Sequence, residues 1–217
     1  VDDYMVHKLP DNISLMEGAL IEPTTVAVQA VKDSKLSIGD TVAVYGAGPI
    51  GLLTILAAKA AGASRIIAID ISEERLSLAR EVGATNLINS SVDNPTYEIK
   101  SKYGNVDIAY EAAGVQQTLT SAEKVIKRNG EIMVISLYGK PAEVNLLSLV
   151  TKGANIKGSI GYHQMFPKVI SLIRNGILDV KKVITSQISF SRVIEDGFDR
   201  LIKDKSQAKI LVRIEEE

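Results

Sequence analysis

From about residue 41 onward, the chain alternates between two hydrophobic rhythms. Short runs of β-branched and other apolar residues read as strands buried on both faces, and stretches with apolar positions three and four apart read as amphipathic helices. The strands predicted in this way are a run opening at Thr41 and closing at Gly46, then Arg65–Asp70, Asn86–Asn89, Val106–Glu111, Glu131–Leu137 and Asn155–Ile160. The helices between them are Ile50–Ala61, Glu73–Val82, Pro95–Tyr103, Gln116–Lys127 and Leu146–Lys152, with Ser72 as an N-cap and Gly83 as a stop. Six strands with helices between them make two similar halves set back to back. Right-handed crossovers then give a doubly wound α/β parallel sheet of order 3-2-1-4-5-6.

The flanks follow a different pattern. Leu15–Val31 is apolar but interrupted by Glu22-Pro23, which predicts two helical pieces meeting at a corner, because proline disfavours the α region for the residue before it. Ser14 is placed to cap the first piece. After the sixth strand come a helix at Phe166–Arg174, a strand at Val183–Phe190, a helix at Ser191–Lys203 with Val193, Ile194, Phe198 and Leu201 on one side, and a last strand at Lys209–Ile214. The six-stranded sheet has no need of these two extra strands. They are expected to pair with protein absent from this chain or to leave an exposed edge.

Chemistry concentrates where the first strand meets its helix. In Gly46-Ala47-Gly48-Pro49-Ile50-Gly51 the first glycine permits a tight turn, the second lets a pyrophosphate approach the backbone, and the third lets helix and strand pack closely. Pro49 gives up an N–H that the first helical turn does not use. Asp70 ends the second strand roughly 20 residues on, where a ribose hydroxyl needs an acceptor. The alternative is that the glycines serve only the turn and Asp70 only caps the next helix. On the expected sheet, Gly46–Ile50, Asp70, Glu111–Gly114, Ser136–Tyr138 and Ser159–Gly161 line one crevice at the carboxyl ends of the strands. Glu22 is either a partly exposed acid at a helix break or a carboxylate near a metal. His163 and His7 read as loop and surface histidines.

Composition narrows the classes. Twenty-five basic and 26 acidic residues leave a formal charge of -1, so no basic field exists for nucleic acid or an anionic membrane. No apolar run is long enough to span a bilayer and no secretion signal is evident, which predicts a cytoplasmic protein. With no cysteine, disulfides, thiolate metal sites and cysteine nucleophiles are excluded. The chain opens on Val1 in ordinary folded sequence, which suggests a piece of a longer protein.

Several motifs together resemble the coenzyme half of zinc-dependent medium-chain dehydrogenases, most closely the 2,3-butanediol and sorbitol (polyol) dehydrogenases. They are Glu22-Pro23, Gly46 to Gly51, Ala60-Ala61-Gly62-Ala63, Asp70-Ile71-Ser72-Glu73-Glu74-Arg75, Gly83-Ala84, Gly158-Ser159-Ile160-Gly161-Tyr162, Glu195-Asp196-Gly197-Phe198 and Lys209-Ile210-Leu211-Val212. The resemblance implies a Rossmann sheet over residues 34–176, a linking segment at 1–33 and a return segment at 177–217, both flanks belonging to a missing catalytic domain. It implies NAD as cofactor, with Gly46, Gly48 and the backbone of Pro49 and Ile50 at the pyrophosphate, Asp70 and Arg75 at the adenosine ribose, Ala112 on the adenine side, and Leu137 and Gly161 near the nicotinamide. Glu22 would stand by a catalytic zinc whose other ligands lie outside this chain. The implied reaction passes hydride between a secondary alcohol, diol or polyol and NAD in a homo-oligomeric enzyme, while this portion alone binds cofactor without turnover. Competing readings are a non-catalytic NAD-sensing module, a zinc-free quinone-reductase-like enzyme, and a methyltransferase, against which Gly51 and the complete second half of the sheet argue.

Overall fold

The computed structural model describes residues 2 and 5–214; residues 1, 3, 4 and 215–217, which the flanking segments include, lie outside them. The main body is one parallel sheet of β1 (Thr41–Tyr45), β2 (Arg65–Asp70), β3 (Asn86–Asn89), β4 (Val106–Glu111), β5 (Ile126–Val134) and β6 (Asn155–Gly158). Their order is β3-β2-β1-β4-β5-β6, as the pattern predicts. Alternation along each strand builds two cores. Val42 and Val44 of β1, Ile66 and Ala68 of β2, and Ile108 and Tyr110 of β4 face one way. Ala43, Tyr45, Ile67, Ile69 and Ala109 face the other. Helices α1 (Leu15–Asp33), α2 (Pro49–Ala60), α3 (Glu73–Val82) and α7 (Phe166–Arg174) cover the first face, while α4 (Pro95–Lys102), α5 (Gln116–Val125) and α6 (Leu146–Lys152) belong to the second.

Several expectations are corrected. Residues 15–31 form a single helix, not two pieces with a corner: α1 runs through Pro23 without a break. Its buried stripe of Leu20, Ile21, Ala27, Ala30 and Val31 joins the core beside α2, and that burial outweighs the proline's lost N–H. Two threonines supply extra donors around it, Thr24 Oγ1 to the Leu20 carbonyl at 2.6 Å and Thr25 Oγ1 to the Glu22 carbonyl at 2.5 Å. The N-terminus carries the capping box that Ser14 suggested, with Glu17 N–H donating to Ser14 Oγ at 3.3 Å and Ser14 N–H donating to Glu17 Oε2 at 2.9 Å.

The fifth strand starts at Ile126, five residues earlier than the pattern indicates, and α5 stops at Val125. Ile126 pairs with Val106 and is fully buried, so the sheet takes it from the helix; Asn129 then turns the chain with φ +60°. The sixth strand ends at Gly158, two residues short of Ile160. The two C-terminal strands, β7 (Ile184–Ser189) and β8 (Lys209–Arg213), pair with each other in a small parallel ribbon. The segment between them is not one α-helix. It is a 3-10 turn, a π-helical stretch at Val193–Asp199 and a final turn α8 (Arg200–Lys203). Ile194, Phe198 and Leu201, expected on one side of that helix, are exposed.

Candidate functional site

The turn between β1 and α2 is shaped by two of its glycines. Gly46 has φ +92°, donates its N–H to the Ile69 carbonyl at 2.8 Å, and lies so close to the next loop that a Cβ would meet the Ala112 and Ala113 backbone at 3.1 Å. A Cβ on Gly51 would stand 1.8 Å from the Gly46 carbonyl oxygen, which no real contact allows. Gly48 differs: beyond its own chain neighbours, nothing among the described residues lies within 4 Å of where its Cβ would be. It is the N-cap of α2, with Pro49 in the first turn and no side-chain cap on the helix end.

Asp70 sits beside this turn, almost wholly buried. Its Oδ2 accepts from Ala47 N–H at 2.7 Å and its Oδ1 from Ser72 N–H at 3.0 Å. One carboxylate therefore fixes the glycine turn and the entry to α3 together. Ser72, not Asp70, caps α3, its Oγ accepting from Arg75 N–H at 3.2 Å.

The opposite wall is organised by Glu111, fully buried at the end of β4. Its carboxylate accepts from Ala113 N–H at 3.0 Å, Gly114 N–H at 3.0 Å and Thr118 Oγ1 at 2.7 Å, and from the Ser136 hydroxyl. Sequence reading places Glu111 at the crevice but misses this hub. An acid closing the apolar run Ile108-Ala109-Tyr110 ahead of Ala-Ala-Gly was the available signal. Gly114, with φ +73°, packs so closely on the Leu137 carbonyl that a Cβ would approach it to 2.8 Å. The loops carrying Ala112 and Leu137 are thus joined. Burial first, then the Glu111 charge, pushes the Tyr138 phenol far above its ordinary pKa.

On the β2–β3 side of the crevice a cleft of about 720 Å³ opens, which the sequence did not reveal. Ile71, Val92, Pro95 and Val115 are among its lining residues. Ile71 is 66% exposed, Val92 78% and Val115 44%, unusual for apolar side chains gathered around one opening. Among its hydroxyl residues, Tyr45, Ser121 and Thr96 lie in a row. Tyr45 Oη and Ser121 Oγ are 3.0 Å apart, and so are Ser121 Oγ and Thr96 Oγ1.

The structure thus brings Gly46, Gly48, Pro49, Ile50, Gly51, Asp70 and Ala112 together at one end of the sheet, with Leu137 on the adjoining loop and 84% exposed. Arg75 instead reaches the C-terminal segment, donating from Nη2 to the Gln207 carbonyl at 3.3 Å. Gly161, at φ +62°, lies on the loop after β6, which is tied to α1 where His163 N–H donates to Gln29 Oε1 at 3.3 Å. Glu22 is exposed on α1 and faces this loop: desolvation and then the Glu22 charge raise the Tyr162 phenol above its ordinary pKa. His7 stacks on Phe166 with ring centroids 5.2 Å apart. Among the described residues no group of three or more His, Asp or Glu side chains is arranged to hold a metal, and no helix is long and apolar enough to cross a membrane.

The sheet order, the glycine turn at the switch point between β1 and β4, and the acid ending β2 define a doubly wound, Rossmann-type α/β protein. Residues 49–175 match the family described as zinc-binding dehydrogenase, and the chain belongs to that family. It is 45% identical over 214 residues to (R,R)-butanediol dehydrogenase of Bacillus subtilis, covering 98% of this chain and 62% of that relative. It is 35% identical to a sorbitol dehydrogenase of the same organism, covering 95% and 60%. Among solved structures, one described as a short chain alcohol dehydrogenase of Escherichia coli CFT073 in complex with NADH superimposes with a TM-score of 0.91 at 28% identity, over 96% of this chain and 62% of that one. The chain therefore spans about three fifths of the length of these relatives.

Proposed function

We propose that this chain is the NAD-binding portion of a cytoplasmic zinc-dependent oxidoreductase that transfers hydride between a secondary alcohol, diol or polyol and NAD. The observation that carries the reading is Asp70, held by Ala47 and Ser72 N–H groups beside a glycine turn whose middle glycine opens onto empty space. That opening admits a pyrophosphate at the end of α2, against the backbone of Gly46, Gly48, Pro49 and Ile50. Asp70 keeps lone pairs free for two ribose hydroxyls and repels a 2′-phosphate. Adenine would enter the apolar cleft beyond Ile71 and Ala112, and the nicotinamide would lie toward Leu137 and Gly161. Arg75 borders the ribose side, anchored to Gln207. NAD, when bound, supplies the hydride acceptor; the chain's own residues bind and orient it.

Zinc does not fit this chain by itself, since among the described residues Glu22 has no partner ligands. We assign Glu22 to the neighbourhood of a zinc held mainly by protein outside this chain. Residues 1–33 and 177–217 are the segments that join that part, and the exposed Phe190, Ile194, Phe198 and Leu201 are the surface it would cover. The relatives' names favour vicinal diols and polyols as substrates.

Calorimetric titration with NAD and NADP tests the cofactor reading. The wild-type protein should prefer NAD, and Asp70→Ser should weaken NAD and narrow the gap to NADP; an unchanged preference refutes the assignment. Metal analysis and a screen of 2,3-butanediol, sorbitol and simple secondary alcohols with the full-length protein test the reaction.

A further inference from the structure

The three hydroxyls in the floor of the cleft form a line whose proton count is informative. Tyr45 Oη, Ser121 Oγ and Thr96 Oγ1 carry three protons but make two hydrogen bonds, each 3.0 Å long. One proton is left over, on Tyr45, on Thr96, or on Ser121 if both neighbours donate to it. Tyr45 is completely buried at the end of β1, and among the described residues no acceptor other than Ser121 reaches its hydroxyl. A proton left at that end would be a buried donor with no partner, which costs more than a hydrogen bond returns. Burial also pushes the phenol far above its ordinary pKa, so it stays protonated and donates. Ser121, 9% exposed, has no further acceptor among the described residues either, so the line runs outward from Tyr45 to Ser121 to Thr96, and the spare proton is delivered by the half-buried Thr96 into the cleft.

Several of the other polar residues nearby are committed, while Ser90, Asp93, Gln117 and Lys124 also line the cleft. Gln116 bonds Thr120 Oγ1 and both backbone groups of Glu143, Thr118 donates toward Glu111 or the Val115 carbonyl, and Asn94 caps α4. A flat ring between Ile71, Val92, Pro95 and Val115 would meet apolar walls and, at the floor, a hydroxyl donor. Purines offer ring nitrogens as acceptors in the plane of the ring, which is the complement of that arrangement.

We infer that Thr96 reads a ring nitrogen of the cofactor's purine, and that Tyr45 and Ser121 are positioning residues that fix the direction of its hydroxyl. This rests on the NAD reading above. Removing the phenol by Tyr45→Phe preserves the packing but lets the Ser121–Thr96 pair donate in either direction, so part of the selectivity is lost.

The experiment is calorimetry on the full-length protein with ADP-ribose and its three analogues in which N1, N3 or N7 is replaced by C–H. Thr96→Val should weaken ADP-ribose by about three- to tenfold. The same substitution should leave one of the three analogues unaffected, because that analogue has already lost the acceptor. Thr96→Ser keeps the hydroxyl and should bind like the wild type, while Tyr45→Phe should lose affinity for ADP-ribose but not for that same analogue. An equal loss on all four ligands, or none on any, overturns the inference and leaves the cofactor reading intact. A wild-type protein that fails to bind ADP-ribose overturns both.

Discussion

At the scale of the residue, the two glycines that flank Gly48 are bound by the protein and Gly48 is not. A methyl group at position 51 would have to pass through the Gly46 carbonyl, so the turn and the start of α2 must separate to admit it. Gly51→Ala gains about 1 kcal/mol in helix propensity yet loses more to the clash. A net loss of about 2 kcal/mol or more in chemical denaturation is the expected outcome. Gly48→Ala meets nothing in the protein and should leave the melting temperature near that of the wild type, while NAD affinity falls because the new methyl occupies the open space. Equal destabilisation by both substitutions would contradict this division of labour. It also marks what was legible in advance. The spacing of glycines and the acid at Asp70 are local signals, readable one residue at a time. The Glu111 hub and the Tyr45 line are not, because Glu111 meets Ser136 and Tyr45 meets Ser121 only after the strands and helices have been assembled.

At the scale of the element, the pattern was most reliable where strands are buried on both faces and least reliable where tertiary contacts compete with local preference. Every helix and strand from β1 to β4 lies within a residue or so of its predicted span, since period-2 and period-3.6 burial leave little freedom. Pro23 and Ile126 illustrate the competition, in both cases decided by burial against a neighbouring element. The C-terminal ribbon depends on a turn that local sequence does specify. Asp204 accepts from Ser206 N–H at 2.9 Å, from the Ser206 hydroxyl at 2.5 Å and from Gln207 Nε2 at 2.8 Å, which holds the chain as it enters β8. These bonds, the Ser206 hydroxyl foremost, hold the Asp204 carboxyl down at about 2 against an ordinary 3.8. Because the folded value is the depressed one, the stabilisation is complete above 3.8 and is lost as the pH falls through about 2. Amide signals of Ser206 and Gln207 followed by NMR should therefore hold their positions to below pH 3.8 and shift as pH 2 is approached. In Asp204→Asn that titration should vanish; a midpoint near 3.8 in the wild type would show the turn unformed in solution.

At the scale of the whole molecule, β6 is an edge strand of the main sheet. All four residues of β6 are exposed, and Leu146, Leu147 and Val150 of the preceding α6 are exposed as well. An open strand edge beside apolar side chains invites pairing, and a second copy related by a two-fold axis presents the same edge in the antiparallel sense. Strand geometry says which atoms would be used. Ser159 N–H donates to the Val134 carbonyl at 2.9 Å, so the alternation along the strand turns the N–H of Gly158 away from β5, toward the open side. Gly158→Pro removes that outward donor and leaves the β5–β6 ladder untouched. Nothing lies within 4 Å of the Cβ position at Gly158, and an edge strand tolerates proline where the lost N–H points away from its neighbour. Sedimentation of the full-length protein should show a dimer or higher oligomer for the wild type and a shift toward monomer for Gly158→Pro, with the far-ultraviolet spectrum unchanged. If the variant sediments like the wild type, assembly uses another surface.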